Sequence, residues 1–155
     1  MIRLATPDDQ QALMAIAEAI NLFTPPELEA LEEMLAESFE GDSDSFWITY
    51  DDGEPRGVAY GAPEVYADGV SNLYFIAVHP DYQGQGIGGE MLRYVEKMLT
   101  ERGDRLLLVE TSGLPDFEKT RTFYRKNGYE EEARIRDYYK AGDDKIIFRK
   151  VLTED

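Results

Sequence analysis

Val78-His79-Pro80-Asp81-Tyr82-Gln83-Gly84-Gln85-Gly86-Ile87-Gly88-Gly89 is the stretch on which the reading of this chain turns. Before it, Leu73-Tyr74-Phe75-Ile76-Ala77-Val78 is a nearly continuous apolar run, the pattern of a central strand covered on both faces. After it, Ile87, Met91, Val95 and Met98, with Leu92 and Leu99 beside them, recur at helical spacing. The loop therefore joins a buried strand to an amphipathic helix. Glycines let successive backbone N–H groups turn toward one point, and the helix N-terminus adds partial positive charge there. Without Cβ atoms a ligand also approaches the main chain closely. Such a cradle holds a diphosphate with no basic side chain.

Other phosphate signatures fit less well. A P-loop needs Gly-Lys-Ser/Thr, and this loop has no Lys. Gly84-Gln85-Gly86-Ile87-Gly88-Gly89 matches the Gly-x-Gly-x-x-Gly of dinucleotide folds, but it follows several strands, and Glu110 falls slightly late for the ribose acid. A loop rich in glycine only to turn is the plain alternative.

Outward from the loop, Ile2–Ala5 reads as a first strand, and Thr6-Pro7-Asp8-Asp9 opens a helix with Leu13, Ile16, Ala17 and Ile20 as its apolar stripe. Thr24-Pro25-Pro26-Glu27 is a capping-box start, followed by Leu28, Leu31, Leu35 and Phe39 on one face. Gly41–Ser45 reads as a loop. Phe46–Tyr50 and Gly57–Tyr60 are strands joined across Asp51–Pro55. Leu106–Val109 is another buried strand, Phe117–Lys126 a helix, and Asn127-Gly128 its stop. Tyr129–Tyr138 and Lys145–Val151 form two antiparallel strands around the turn Ala141–Asp144. No repeat or linker starts a second domain, so residues 1–155 are expected to be one.

Composition sets bounds. The chain has 155 residues, 43% of them hydrophobic, which excludes a disordered reading. It has no cysteine, so disulfides, Cys-ligated zinc and a Cys acyl-enzyme are excluded, and no metal is expected. No signal-like start or membrane-length apolar run occurs, so a cytoplasmic protein is expected. The net charge of −16 argues against affinity for nucleic acid or anionic membranes. The charge is uneven. Residues 1–72 hold two bases (Arg3, Arg56) against 16 acids, whereas residues 73–155 hold 14 bases against 16 acids. Solubility explains this block, as does a first half that welcomes a cation.

At Gln83-Gly84-Gln85-Gly86-Ile87-Gly88 the sequence resembles the pyrophosphate loop, Gln/Arg-x-x-Gly-x-Gly/Ala, of the GNAT family of N-acetyltransferases. Ile76-Ala77-Val78, the lead-in His79–Tyr82 and the downstream Thr122-Phe123-Tyr124-Arg125-Lys126-Asn127-Gly128-Tyr129 are similar to that family as well. The resemblance implies an α/β (α+β) fold, with a mixed, mostly antiparallel sheet of six to seven strands and about four helices. It implies acetyl-CoA as cosubstrate. Main-chain groups of Ile76, Ala77 and Val78 would hold its pantetheine arm, and those of Gln83, Gly84, Gln85, Gly86, Ile87, Gly88 and Gly89 its pyrophosphate. Tyr124 matches the position whose hydroxyl protonates the departing thiolate, although packing alone also explains a tyrosine there.

The reaction so implied is direct acetyl transfer to a primary amine. At pH 7 a free alkylamine of pKa ~10.4 costs about 4.6 kcal/mol to neutralise, so a base or a water relay must take its proton. Some relatives place Glu at the start of the strand before the loop, where this chain has Asn72. The candidates that remain are Glu64, Asp68, Glu110 and His79. Glu110 is read as a catalytic or substrate contact, or as a salt-bridged strand end; His79 is read as a capping or packing residue rather than a base, Glu64 and Asp68 as solvated loop acids, and Tyr74 as core, with a face toward the substrate as its alternative. An Asn common in the family seven residues before the tyrosine is Phe117 here. Lys119, Arg121 and Arg125 are candidates for the CoA 3′-phosphate or simply a solvated helix face. Family relatives bind the acceptor through their opening helices and early strands, so the acidic half here implies a cationic acceptor, a small molecule or a Lys-rich peptide. A homodimer is the expectation from paired domains among relatives. The alternative function is a non-catalytic acyl-CoA sensor acting through a protein partner.

Overall fold

Thr24 begins its helix as the sequence requires: its Oγ1 accepts from the Glu27 N–H at 3.4 Å and its own N–H donates to Glu27 Oε1 at 2.9 Å. The helix so started, α2 (Pro25–Ser38), buries Leu31 and Leu35 and leaves Glu29, Glu32, Glu33 and Glu37 in solvent. At Thr6 the chain first makes a 3₁₀ turn, Pro7–Asp9, and then α1 (Gln10–Ala19), whose buried face is Leu13, Ile16 and Ala17. The remaining elements are β1 (Ile2–Leu4), β2 (Phe46–Asp51), β3 (Pro55–Pro63), β4 (Val70–Val78), α3 (Ile87–Glu101), β5 (Leu106–Ser112), α4 (Glu118–Lys126), β6 (Glu130–Lys140) and β7 (Asp143–Val151). This computed structural model describes residues 1–41 and 44–152, so part of the Gly41–Ser45 loop lies outside the described residues. The strands hydrogen-bond in the order β1-β2-β3-β4-β5-β7-β6, a mixed and mostly antiparallel sheet. With four α-helices among the described residues, this is the expected fold class.

The chain divides into two compact units, Met1–Ala62 with Phe75–Val95, and Pro63–Tyr74 with Glu96–Asp155. The core of the first is Leu13, Ile16, Ala17, Leu31, Leu35, Trp47, Val58 and Ala77. Burying one such aliphatic side chain stabilises by roughly 1.5–3 kcal/mol, which is what fastens α1 and α2 to the strands. In the second unit, β4 and β5 run parallel from Val70↔Leu106 to Leu73↔Val109, and β7 pairs antiparallel with β5 from Leu106↔Val151 to Ser112↔Lys145. Its core includes Leu73, Leu99, Leu107, Val109, Ile146 and Phe148.

Two expectations change. The Leu73–Val78 run is not covered on both faces: Leu73 and Ala77 are buried, but Tyr74 is 44% exposed and Phe75 and Ile76 are half-buried. Apolar content alone misleads here because tyrosine carries a polar hydroxyl that tolerates the surface. The last hairpin is longer than expected, β6 reaching Lys140. Its register shifts between Ile135 and Lys140, where Asp137 takes φ 56°. The Asp137 N–H donates to Asp144 Oδ1 at 2.9 Å and its Oδ1 accepts from the Gly142 N–H at 2.8 Å, so the irregular backbone is satisfied. Among the described residues no helix is long and apolar enough to cross a membrane.

Arg3 clamps β1 to its surroundings, donating to both oxygens of Asp9 at 2.7 and 2.8 Å and to Asp51 Oδ2 at 2.9 Å. The Arg3 hydrogen bond is the main reason the Asp9 carboxyl is lowered from 3.8 to about 2, against the opposing effect of burial. Because the folded value lies below the unfolded one, this stabilisation is complete above pH 3.8 and is lost as pH falls toward 2. Arg3→Ala is expected to cost about 1–2 kcal/mol in urea unfolding at neutral pH. The gap between variant and wild type should narrow below pH 4; a gap independent of pH would contradict the assignment.

Candidate active site

The glycine loop is held at the end where β4 leads into it. His79 caps the 3₁₀ turn Pro80–Tyr82, its Nδ1 accepting from the Asp81 N–H at 3.1 Å, while its own N–H donates to the Arg56 carbonyl at 2.8 Å. This is the capping role read from the sequence. Gln83 folds back so that its Nε2 donates to the Val78 carbonyl at 3.0 Å. Tyr82 is fixed by its hydroxyl, which donates to Glu54 at 3.1 Å, and by the Arg56 guanidinium 4.2 Å from its ring centre. Arg56, near the loop, is itself paired with Asp52 at 3.0 Å. Within this frame Gly84 and Gly86 take φ +81° and +83°, a conformation that disfavours any other residue. A Cβ at either position would meet nothing within 4 Å, so the main chain there faces open space. Ile87 then starts the 15-residue α3, whose first amides have no partner within the helix. Backbone of this kind is suited to an anion carried by a bulky ligand, and it fits the diphosphate of a coenzyme without help from lysine. Ile76 and Val78 lie past the last β4–β5 pair, Leu73↔Val109.

A second group forms in the other unit from strand register. Asn72 pairs with Leu108, so Glu110, two residues on, shares its face; Glu110 pairs with Ile147, which brings Lys145 to the same face. Asn72 Nδ2 donates to Glu110 Oε2 at 2.5 Å and to Glu64 Oε1 at 3.1 Å. Lys145 Nζ binds Glu110 Oε1 at 2.8 Å and sits 4.2 Å from the Tyr138 ring centre. Burial would lower the Lys145 pKa, but the hydrogen bond and charge of Glu110 prevail and raise it. The Tyr74 hydroxyl donates to Glu64 Oε1 at 3.4 Å. Glu110 is thus a salt-bridged residue that also joins a polar cluster. Glu64, read as a solvated loop acid, is instead part of that cluster. Asp68 is exposed and contributes its main-chain oxygen to Arg105.

Tyr124 lies in α4 and is 2% exposed, packed against Phe123, Tyr129 and Phe148 at ring-centre distances of 5.4, 5.8 and 5.8 Å. A Schellman ending fixes its backbone: the Tyr129 N–H donates to the Tyr124 carbonyl at 3.1 Å and the Gly128 N–H to the Arg125 carbonyl at 3.2 Å, with Gly128 at φ +90°. Tyr129 is tied in turn to Glu96 Oε2 at 2.7 Å, and Lys150 binds the other Glu96 oxygen at 3.1 Å. Burial pushes the Tyr124 phenol well above its ordinary value near 10, so it stays protonated across the working range. Of the helix cations, Arg121 is spent on the Ser112 and Leu114 carbonyls and Arg125 on Glu131. Lys119 lines a shallow groove with Pro115, Thr122, Phe123 and Lys126.

A family model described as an acetyltransferase (GNAT) domain matches residues 42–131. An acetyltransferase of Pectobacterium atrosepticum is 30% identical over 105 residues, 66% of this chain and 69% of that protein. A crystal structure of a Desulfovibrio desulfuricans chain, described as an acetyltransferase of the GNAT family, matches at TM-score 0.93 and 32% identity over 99% of both chains. An aminoglycoside 6′-N-acetyltransferase complexed with coenzyme A has the same fold, with TM-score 0.79 and 16% identity over 100% of this chain and 98% of that one. Family model, sequence relative and superposition agree: the chain belongs to the GNAT acetyltransferase family and is an acetyltransferase whose cosubstrate is acetyl-CoA.

Proposed function

We propose that this enzyme acetylates a primary amine on a cationic acceptor, a small molecule or a Lys-rich peptide. One observation carries the cosubstrate half of the reading: Gly84 and Gly86, both at positive φ with open space above them, stand directly before α3. On this reading the N–H groups from Gln83 to Gly89 bind the pyrophosphate, and main-chain groups of Ile76, Ala77 and Val78 bind the pantetheine arm. Gln83 already uses one lone pair of the Val78 carbonyl, which leaves the other for the ligand.

Acetyl-CoA supplies an activated acetyl thioester. Tyr124 supplies a hydrogen-bond donor to the leaving sulfur, a role that its motif position suggests and its protonated state permits. On this reading Glu110 takes up the amine's proton and passes it onward. Its two oxygens already accept from Asn72 and Lys145, and the proton leaves from there to solvent. The charge distribution supports a cationic acceptor. Both bases of residues 1–72 are engaged, Arg3 by Asp9 and Asp51 and Arg56 by Asp52, so they add no free positive charge to the acidic half.

Three measurements test this reading. In calorimetry, Gly86→Val should weaken CoA binding at least tenfold, because valine is strained at φ +83° and fills the space over the loop; unchanged affinity would remove the loop assignment. Tyr124→Phe should lower kcat by about 10²-fold with CoA affinity retained, and an unchanged kcat would remove the tyrosine from the chemistry. Thiol release with a panel of charged and neutral amines should favour the charged ones at low salt and lose that preference at high salt. Equal, salt-independent rates would discard the cationic acceptor.

A further inference from the structure

The glycine loop is braced by a hairpin that lies outside its motif. From residue 80 to residue 86 every position but Tyr82 is exposed. The side chains of His79 and Gln83 serve groups close to them in the chain, the Asp81 N–H and the Val78 carbonyl. Tyr82 reaches further. Its hydroxyl donates to Glu54 Oε1 at 3.1 Å, in the turn between β2 and β3, and its ring centre lies 4.2 Å from the Arg56 guanidinium near the start of β3. The Arg56 carbonyl also accepts from the His79 N–H at 2.8 Å, and its guanidinium is held by Asp52 at 3.0 Å. The turn keeps a shape of its own: the Asp52 N–H donates to the Glu54 carbonyl at 3.2 Å, and Gly53 takes φ +88°. Two residues of one hairpin therefore meet the ring that anchors the loop.

Coulomb's law gives no reason for a carboxylate here. A loop that receives a diphosphate gains nothing from an acid beside it, and Glu54 makes the local field more negative. What Glu54 does supply is a fixed acceptor for the Tyr82 hydroxyl. A loop ordered before its ligand arrives binds more tightly, because binding then carries less ordering cost. We propose that Glu54 is a positioning residue for the coenzyme, acting through Tyr82, a role that rests on the assignment of this loop to the pyrophosphate. It holds the loop in its receiving shape and so strengthens CoA binding despite its own negative charge. Arg56 braces the same ring, but its positive charge favours an anion by itself. Glu54 is thus the residue at which brace and charge act in opposite directions.

Calorimetry with CoA tests this. Glu54→Ala should weaken CoA binding by about three- to tenfold although it removes a negative charge. Glu54→Gln, which keeps an oxygen acceptor for the hydroxyl, should restore the wild-type affinity or exceed it. Tyr82→Phe removes the same hydrogen bond from its other end and should cost the same factor. The double variant Glu54→Ala/Tyr82→Phe should then lose no more than either single one. Tighter or unchanged binding in Glu54→Ala, a loss of the same size in Glu54→Gln, or losses that multiply in the double variant would overturn the brace. Gly86→Val separates this from the loop assignment itself. A loss in Gly86→Val with none in Glu54→Ala would keep the loop and discard the brace, whereas unchanged affinity in Gly86→Val would discard both.

Discussion

Every main-chain N–H and C=O of a folded chain must find a partner, and β4 meets that demand differently along its length. From Val70 to Leu73 it is paired, parallel, with β5. Past Leu73 that ladder stops, and the strand's last carbonyl, Val78, takes its partner from a side chain, Gln83, of the loop that follows. The loop repeats the pattern. His79 and Gln83 spend their side chains on backbone groups, which fixes the path of the chain, and Gly84 and Gly86 then turn it where no side chain follows. Local hydrogen bonding thus secures the frame of the loop. A coenzyme with a long polar arm and a diphosphate is the kind of molecule that meets such a need.

Electrostatics govern the other unit. Two carboxylates near one buried amide would repel each other strongly unless something intervened. Lys145 neutralises one, and Asn72 donates to both. The arrangement costs stability, because a buried acceptor without a donor is worth about 1–3 kcal/mol of lost solvation. A cluster built only for stability would be better served by an apolar residue at position 72. Retaining an amide there makes sense if the positions of the two acids matter more than the energy of the resting protein.

The sequence displays these two regions unequally. The loop is local: its glycines, its flanking strand and the helical spacing from Ile87 to Leu99 lie within a short stretch, so composition and periodicity reveal it. The Schellman ending is equally local, because Asn127-Gly128 names its own geometry. The Asn72 cluster is not local. Its members come from the β3–β4 connection, β4, β5 and β7, and they meet only through a parallel register on one side of β5 and an antiparallel register on the other. Asn72 could be read as the absence of a glutamate, but not as a donor to two others. Glu64 carried no motif at all. The pairing of hydrophobic stretches would have been needed first, and Tyr74 shows why that is hard: an apolar run gives no sign of which residue emerges at the surface.

On the proposed mechanism, the burial of Tyr124 raises a question of driving force. A phenol with pKa above 10 gives its proton uphill to an alkyl thiolate of pKa ~8.5, at a cost of roughly 2 kcal/mol or more. Complete transfer is therefore not what burial favours. It favours a neutral phenol whose hydrogen bond strengthens as negative charge grows on the sulfur, which is stabilisation reserved for the transition state. Such a donor is useful only if its position is fixed, since a displacement of an ångström forfeits most of the gain. The rings of Phe123, Tyr129 and Phe148, the Schellman hydrogen bonds and the Glu96–Tyr129–Lys150 chain supply that fixation. On the proposed mechanism it is these surroundings, together with its place in the motif, that suit Tyr124 to the role.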